Sequence, residues 1–392
     1  MLNKERIKSL FLSAWYPNRQ EAMSGLFVRK HAEAVALFGD VTVLYFHADP
    51  QITKFEIVKQ HVNEHLREII VYYPNHIKGT VGRFIKIINY FRANYIGYKE
   101  VQKDFGRPDI VHVNVLTRTG LLAYWLKLTQ RIPYVITEHW SRYFSERNSY
   151  SGFFRRFLTK LIVRSSGAVM PVSEGLKRAM LSHKLLNYNY QVINNVVEDF
   201  FFENTISSPK KIKKILHVSC FDDQVKNISG ILRATKSLSL SRNDFNLIIV
   251  GTGVDYEKIR LYTDDLEFPQ DMIHFTGELT PQEVAAQFYQ ADFFVLFSNY
   301  ENSPVVISES LACGKPVIST DVGGISEHVN KSNGILIPAA DEKALLDAIQ
   351  HMLNNHQSYD KEKITSIAKQ KFSYESVSDE INKIYSNVIN KV

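Results

Sequence analysis

FSNYENSPVVISESLACGKPVISTDVGGISEHV, residues 297–329, is the stretch whose reading decides the fold. An apolar run, Phe293–Phe297, leads into it and has the length and composition of a buried strand. A helix is expected to begin near Ser303, with Pro304 at its first position, where the missing N–H costs nothing. Val305, Val306, Ile307, Leu311 and Ala312 make that helix apolar over most of its surface. Gly314-Lys315-Pro316 then closes it and Val317–Ser319 reads as a second buried strand. Strand, helix and strand within so few residues is a parallel crossover unit, whose sheet is covered on both faces. Glu309 falls on the apolar side of the helix, four residues after Val305 and three before Ala312. A carboxylate there is costly without partners, and ribose hydroxyls would supply them. Glu301 sits at the carboxyl end of the strand, where ligands bind in open parallel sheets. As isolated residues, Glu309 would be an acid paired with a buried base and Glu301 a solvated loop residue. The spacing, the helix start and the Gly-Lys-Pro-Val strand entry occur together, which favours a ligand site.

The same rhythm runs outward in both directions. Ser9–Ser13, Val41–Phe46, Ile69–Tyr73, Ile110–Val113, Tyr134–Thr137 and Ala168–Val172 read as buried strands, separated by helical stretches such as Leu26–Phe38, Thr119–Thr129 and Phe153–Arg164. Strands near Lys214–Val218, Leu247–Val250 and Ile273–Thr276 continue it. The helix Pro281–Gln290 carries its own start signal, Thr280 as cap with Glu283 completing a capping box. A chain of 392 residues exceeds one ordinary core. We therefore expect two doubly wound α/β domains of parallel strands, residues 1–205 and 206–373, divided at the polar stretch Asn204–Lys214 with its Ser207, Ser208 and Pro209. A closing helix over 374–392 would fold back on the first domain.

Charge separates the halves. Residues 1–205 hold 28 Lys and Arg against 17 Asp and Glu, a net +11, and the remainder nets −5. A basic half attracts an anionic membrane, a phosphate-linked acceptor or nucleic acid. The apolar run Ile7–Tyr16 loosely imitates a secretory signal, but it carries Ser9 and Ser13 and stops at Pro17, so it reads as a first strand. Cys220 and Cys313 stand far apart and outside any metal spacing, which suits a reducing cytoplasm.

The stretch 297–329 resembles the Glu–seven residues–Glu motif of retaining glycosyltransferases of family 4, enzymes of the GT-B fold with two Rossmann-like domains facing a central cleft. SAWYPN at 13–18, SGLFVRKHA at 24–32, PDIVHVN at 108–114, VITEHW at 135–140, PVSEGLK at 171–177, VINNVV at 192–197, HFTGEL at 274–279 and NGILIP at 333–338 follow the family's order along nearly the whole chain. The resemblance implies that Glu301 contacts the donor sugar and Glu309 the ribose. The backbone of Asn302, Ser303, Pro304 and Val305 would line the sugar and phosphates, although Pro304 offers no N–H. His139 would lie near the reacting carbon, and Gly25 would let its loop approach the donor phosphates closely. Lys226 would offset the charge of the leaving pyrophosphate. The family often pairs an Arg with that Lys, and here Cys220 stands in its place, so Arg29, Lys30 or another base is left open as the second cation. The implied reaction is retaining transfer from a UDP- or GDP-sugar, by same-face attack assisted by the leaving phosphate. The implied acceptor is a glycan or lipid-linked saccharide, as in surface polysaccharide or glycolipid assembly.

No grouped Asp-x-Asp is present to hold a metal, and with Lys226 and helix starts handling nucleotide charge none is expected. Gly251-Thr252-Gly253 follows a strand, but the third glycine of a dinucleotide fingerprint would fall at Tyr256, so a tight turn suffices. Arg83–Lys103 and Phe153–Arg164 are basic and aromatic. They read either as solvated charged faces over core packing or as surfaces that lie on an anionic inner membrane. The location expected is cytoplasmic, with contact to that membrane's cytoplasmic face and no nucleic-acid partner. The rival readings are a sugar-nucleotide epimerase of the same fold and a non-catalytic sugar-nucleotide-binding partner.

Overall fold

In the computed structural model of the chain, residues 6–116, 118–145, 149–203 and 211–391 are described. Two compact units result, one of residues up to 196 together with 374–392, the other of residues 197–373. Residues 204–210 of the polar stretch expected to divide the chain, with Ser207, Ser208 and Pro209, lie outside the described residues. The division falls earlier, at Val197, for a packing reason. Val197 and Phe201 are buried in the second unit's core, Val197 N donates to Phe372 O at 2.8 Å, and the Phe201 ring meets Phe288 at 6.2 Å.

The first unit is built on seven strands: β1 (Ile7–Ser13), β2 (Gly39–Asp49), β3 (Glu56–His61), β4 (Leu66–Pro74), β5 (Ile110–Asn114), β6 (Tyr134–Glu138) and β7 (Ala168–Pro171). Their order is β3-β4-β2-β1-β5-β6-β7. The core strands are largely buried on both faces, which is why they read as mainly apolar runs. The sheet is mixed rather than wholly parallel, because β3 pairs antiparallel with β4 at the edge. All six β3 residues are exposed, and its polar sequence, EIVKQH, gives no apolar run from which to recognise a strand. The chain leaves β1 toward β2 on one side, and β5 lies on the other. The switch point of this sheet is therefore at the carboxyl ends of β1 and β5.

The closing helix Tyr374–Ile389 packs in this unit, against the helix Leu26–Ala36. Val377, Ile381, Ile384, Tyr385 and Val388 are all buried. At roughly 1.5–3 kcal/mol per large side chain, their gross burial is on the order of 10 kcal/mol, an upper figure. Two polar contacts set its register: Tyr385 OH meets His112 Nδ1 at 2.7 Å and Tyr374 OH donates to Glu33 Oε2 at 2.7 Å.

The second unit carries β8 (Lys213–Val218), β9 (Phe245–Val250), β10 (Ile273–Gly277), β11 (Phe293–Leu296), β12 (Val317–Thr320) and β13 (Gly334–Ile337), in the order β10-β9-β8-β11-β12-β13. All of its pairings are parallel. Thr280 and Glu283 form the expected capping box, Glu283 Oε2 accepting from Thr280 N at 2.8 Å. The order reverses between β8 and β11, so the loops leaving those two strands meet at the switch point. Lys226 is carried by one and Glu301 by the other. No helix among the described residues is long and apolar enough to cross a membrane.

Candidate functional site

At the second unit's switch point, Lys226 Nζ donates to Glu301 Oε1 at 2.5 Å, with the two side chains only 13% and 9% exposed. Three features hold the pair. Ser298 Oγ donates to the same Glu301 oxygen at 2.8 Å. The two loops are tied by Asn299 N donating to Val225 O at 2.8 Å and Asn299 Nδ2 to Gln224 O at 3.0 Å. Asp222 caps the short helix Asp223–Lys226, and Asn227 ends it in a left-handed conformation that turns the chain into the next helix.

Beneath the pair lies a buried polar layer. His217 Nδ1 contacts Val295 O at 2.9 Å and its Nε2 contacts Ser219 Oγ at 2.7 Å. Burial pushes that imidazole down to about 4, so it is neutral near pH 7. Thr320 Oγ1 donates to Ser298 O at 2.6 Å, pinning the start of the Glu301 loop to β12. Gly323 packs from the far side. It has a φ of +60°, and a Cβ there would stand 2.0 Å from Glu301 O. The adjacent Gly324 N donates to Asn302 O at 2.8 Å. The Val-Gly-Gly at 322–324 is therefore a brace for the backbone of Glu301 and Asn302, which no local reading of that tripeptide provides.

The helix after this loop spans Val305–Ala312, with Pro304 as its N-cap rather than its first helical residue. Asn302, Ser303, Pro304 and Val305 are half-buried. A helix start carries N–H groups that have no partner inside the helix, so an anion or sugar oxygen finds donors there. Glu309 corrects the expectation of a buried acid. It is half-buried, because the helix turns Ile307, Ser308, Ser310 and Leu311 into the core and leaves Glu309 at the margin. Cys220 is exposed and Cys313 is buried. The glycines at 251 and 253 serve a turn, since Cβ atoms there would stand 1.9 Å from Ser219 O and 2.6 Å from Phe221 N.

In the first unit the functional candidates gather beside the β1–β5 switch point. Gly25 has a φ of +67°, and a Cβ on it would lie 2.3 Å from Trp15 O. The fold itself thus demands a glycine there. The helix that follows brings the Phe27 ring to 4.3 Å from His139, so Gly25 and His139 belong to one neighbourhood. His139 leaves β6 beside Glu138, a residue that sequence reasoning missed. Glu138 is fully buried, and both its oxygens accept hydrogen bonds: Oε1 from His139 N and Trp140 N at 2.9 Å each, Oε2 from Leu116 N at 3.0 Å and Tyr143 OH at 3.1 Å. It therefore shapes the chain that presents His139. Burial still pushes its carboxyl up to about 7. Buried His31 and His112 stand with half-buried His139, and loss of solvent lowers all three imidazoles. The only sequence signal was proximity, Glu138 standing next to His139 in TEHW. Arg29, one candidate for a second cation, is already engaged within the first unit by Glu33 at 3.2 Å and Glu68 at 3.6 Å.

Residues 198–371 match the family model described as Glycosyl transferases group 1, and residues 95–195 match the Glycosyl transferase 4-like domain. The chain belongs to the glycosyl transferases of group 1, family 4. Among curated relatives of this glycosyltransferase, the protein described as "Putative teichuronic acid biosynthesis glycosyltransferase TuaC" of Bacillus subtilis is 25% identical over 356 residues, covering 88% of each chain. Sucrose-phosphate synthase from Thermosynechococcus elongatus shares the fold with a TM-score of 0.77 at 19% identity, over 98% of this chain and 100% of that one. Anabaena Alr3699/HepE, solved in complex with UDP, follows at 0.71 and 18% identity, over 97% of this chain and 100% of its own. The glycosyltransferase therefore has the GT-B fold class, with a Rossmann-like sheet in each unit.

Proposed function

We propose that this glycosyltransferase moves a sugar from a UDP- or GDP-type nucleotide donor, with retention of anomeric configuration, to a glycan or lipid-linked saccharide in surface polysaccharide or glycolipid assembly. The observation that carries the reading is the shielded Lys226–Glu301 pair at the switch point of the second unit. A carboxylate and an ammonium held at the carboxyl end of a parallel sheet suit a ligand with hydroxyls next to a pyrophosphate. Glu301 accepts from the sugar hydroxyls, Lys226 turns to the phosphates as charge develops, and the start of the helix Val305–Ala312 supplies further donors. Glu309 takes the ribose. With these groups balancing the pyrophosphate, the reaction proceeds without a metal and the leaving phosphate itself assists same-face attack. In the first unit, His139 and the loop around Gly25 serve the reacting end of the donor. TuaC, by its description a protein of teichuronic acid biosynthesis, and HepE, solved with UDP, support the polysaccharide and nucleotide parts of this reading.

The same reading has the first unit meet an anionic inner membrane from the cytoplasm. Its helix Gly79–Asp104 exposes Phe84, Phe91 and Tyr95 among Arg83, Lys86, Arg92 and Lys99. The helix Phe153–Ser165 leaves Phe153 87% and Phe154 71% exposed. Aromatic side chains interleaved with cations suit an anionic lipid surface.

Thermal unfolding of the full chain with a panel of nucleotide sugars tests the donor claim. A donor at 100 times its Kd stabilises the fold by about 2.7 kcal/mol. Free nucleotide released only when an acceptor saccharide is present marks a transferase rather than an epimerase. A chain that responds to neither UDP- nor GDP-sugars does not do what we propose.

A further inference from the structure

We infer that the first unit holds a phosphate-binding acceptor pocket, a cavity of about 420 Å³ where Arg118, Arg142 and Arg155 face an apolar wall of Leu121, Phe154 and Leu158, and that it takes the phosphate or diphosphate of a lipid-linked acceptor. The inference rests on the transferase reading above and deepens it by giving the acceptor its chemistry. The volume is in the range of small-molecule sites.

The charge of the cavity is one-sided. Among the described residues, three guanidinium groups line it and no carboxylate does. Among the described residues none of the three forms an ion pair within 4 Å. Arg142 is the informative one. It is only 3% exposed, and its guanidinium lies 3.0 Å from the Trp140 ring centroid. Among the described residues its Nε and Nη2 find no hydrogen-bond acceptor. Burial and the neighbouring Arg155 charge both work against its ionised form, while Tyr143 and Glu138 favour it. A buried guanidinium with unmet donors is costly, and an oxyanion held beside it by Arg118 and Arg155 offsets that charge.

The apolar wall says what carries the anion. Phe154 and Leu158 belong to the helix Phe153–Ser165, and the exposed Phe153 and Phe157 stand on the same helix, so apolar surface continues beyond the cavity. A free phosphate has no use for such a wall, whereas a lipid chain attached to the phosphate does. The position also fits. Trp140 lines the cavity directly after His139, and the Trp15, Phe27 and His139 rings continue from it, with Trp15 at 5.0 Å from Trp140 and 6.3 Å from Phe27. An acceptor anchored here presents its sugar on the side of the proposed reacting group.

The test is calorimetric titration of the full chain with dissolved geranyl diphosphate, beside inorganic pyrophosphate, geraniol and phosphatidylglycerol vesicles. Saturable binding of geranyl diphosphate is expected, at least tenfold tighter than pyrophosphate, with geraniol inert. Arg155→Gln and Arg118→Gln, both at exposed positions, should each weaken it roughly ten- to hundredfold, with the melting temperature of the free chain and its response to nucleotide sugars retained. Arg142→Gln should weaken it at least as much. The inference is overturned if Arg155→Gln binds geranyl diphosphate like the unmodified chain, if pyrophosphate binds as tightly as the prenyl compound, or if only the vesicles bind. Loss of the nucleotide-sugar response with geranyl diphosphate binding intact would instead count against the donor reading alone.

Discussion

Replacing Lys226 by Gln separates a functional ion pair from a structural one. The pair sits at 2.5 Å with both side chains shielded, so at an effective dielectric of about 20 the gross attraction is roughly 7 kcal/mol. Desolvation of both ions consumes most of that, yet removing one partner strands the other, at a cost of roughly 3–5 kcal/mol. Ser298 Oγ still donates to Glu301, which places the expected loss at the lower end. At 2–4 °C per kcal/mol for a unit of this size, the melting temperature should fall by about 6–12 °C. Activity should fall further than stability explains, by on the order of 100-fold or more in kcat, because one preorganised cation no longer meets the leaving pyrophosphate. Glu301→Gln added to Lys226→Gln removes the stranded charge. The double variant should regain most of the melting temperature and none of the activity. Scanning calorimetry and initial-rate assays on the two single variants and the double variant give both numbers. Recovery of activity together with stability in the double variant would refute the reasoning, since the pair would then be structural only.

Three further outcomes follow from the geometry. Gly25→Ala places a Cβ 2.3 Å from Trp15 O at a φ of +67°; we expect a loss of several kcal/mol in urea unfolding without any ligand, and a native midpoint would contradict the loop geometry. Acid should weaken the chain between about pH 6.5 and 4, because His31 and His217 titrate near 4 when folded and near 6.5 when unfolded, so the unfolded state alone takes up protons there. Each contributes up to ~3 kcal/mol; His112 and His139 add in the same direction, and Glu138, raised to about 7, opposes them. Urea midpoints that rise on going from pH 7 to 5 would show the balance to be otherwise. Tyr385→Phe removes the hydroxyl that meets His112 Nδ1 at 2.7 Å in a fully buried site and should cost roughly 1–3 kcal/mol, seen as faster limited proteolysis of the closing helix, whereas an unchanged cleavage rate would mean the apolar packing alone holds it.

Much of the fold was legible before any coordinates. β5, β6 and β11 are buried throughout, and β1 is buried over Ser9–Ser13, so they read as mainly apolar runs, and the Thr280–Glu283 capping box is a local pattern that depends on nothing distant. β3 was not legible, because an exposed edge strand has no reason to be apolar. The division, expected at Asn204–Lys214, falls at Val197 for a similar reason: polar composition marks a loop, but only the burial of Val197 and Phe201 assigns the residues before that stretch to the second unit's core.

The site divides along the same line. Glu301 and Glu309 could be picked out because their spacing spans one strand end and one helix, all within a single short stretch of chain. That Glu301 meets Lys226, 75 residues away, follows only from the strand order, which brings the loops after β8 and β11 together. The half-burial of Glu309, the bracing of Glu301 by Gly323, the role of Glu138 under His139 and the convergence of Arg118, Arg142 and Arg155 are likewise tertiary facts. Sequence by itself determined the local elements and the kinds of side chain available, because propensity, capping and burial periodicity act over a few residues. Which charges face each other, and which are left facing a cavity, was decided only when the sheets assembled.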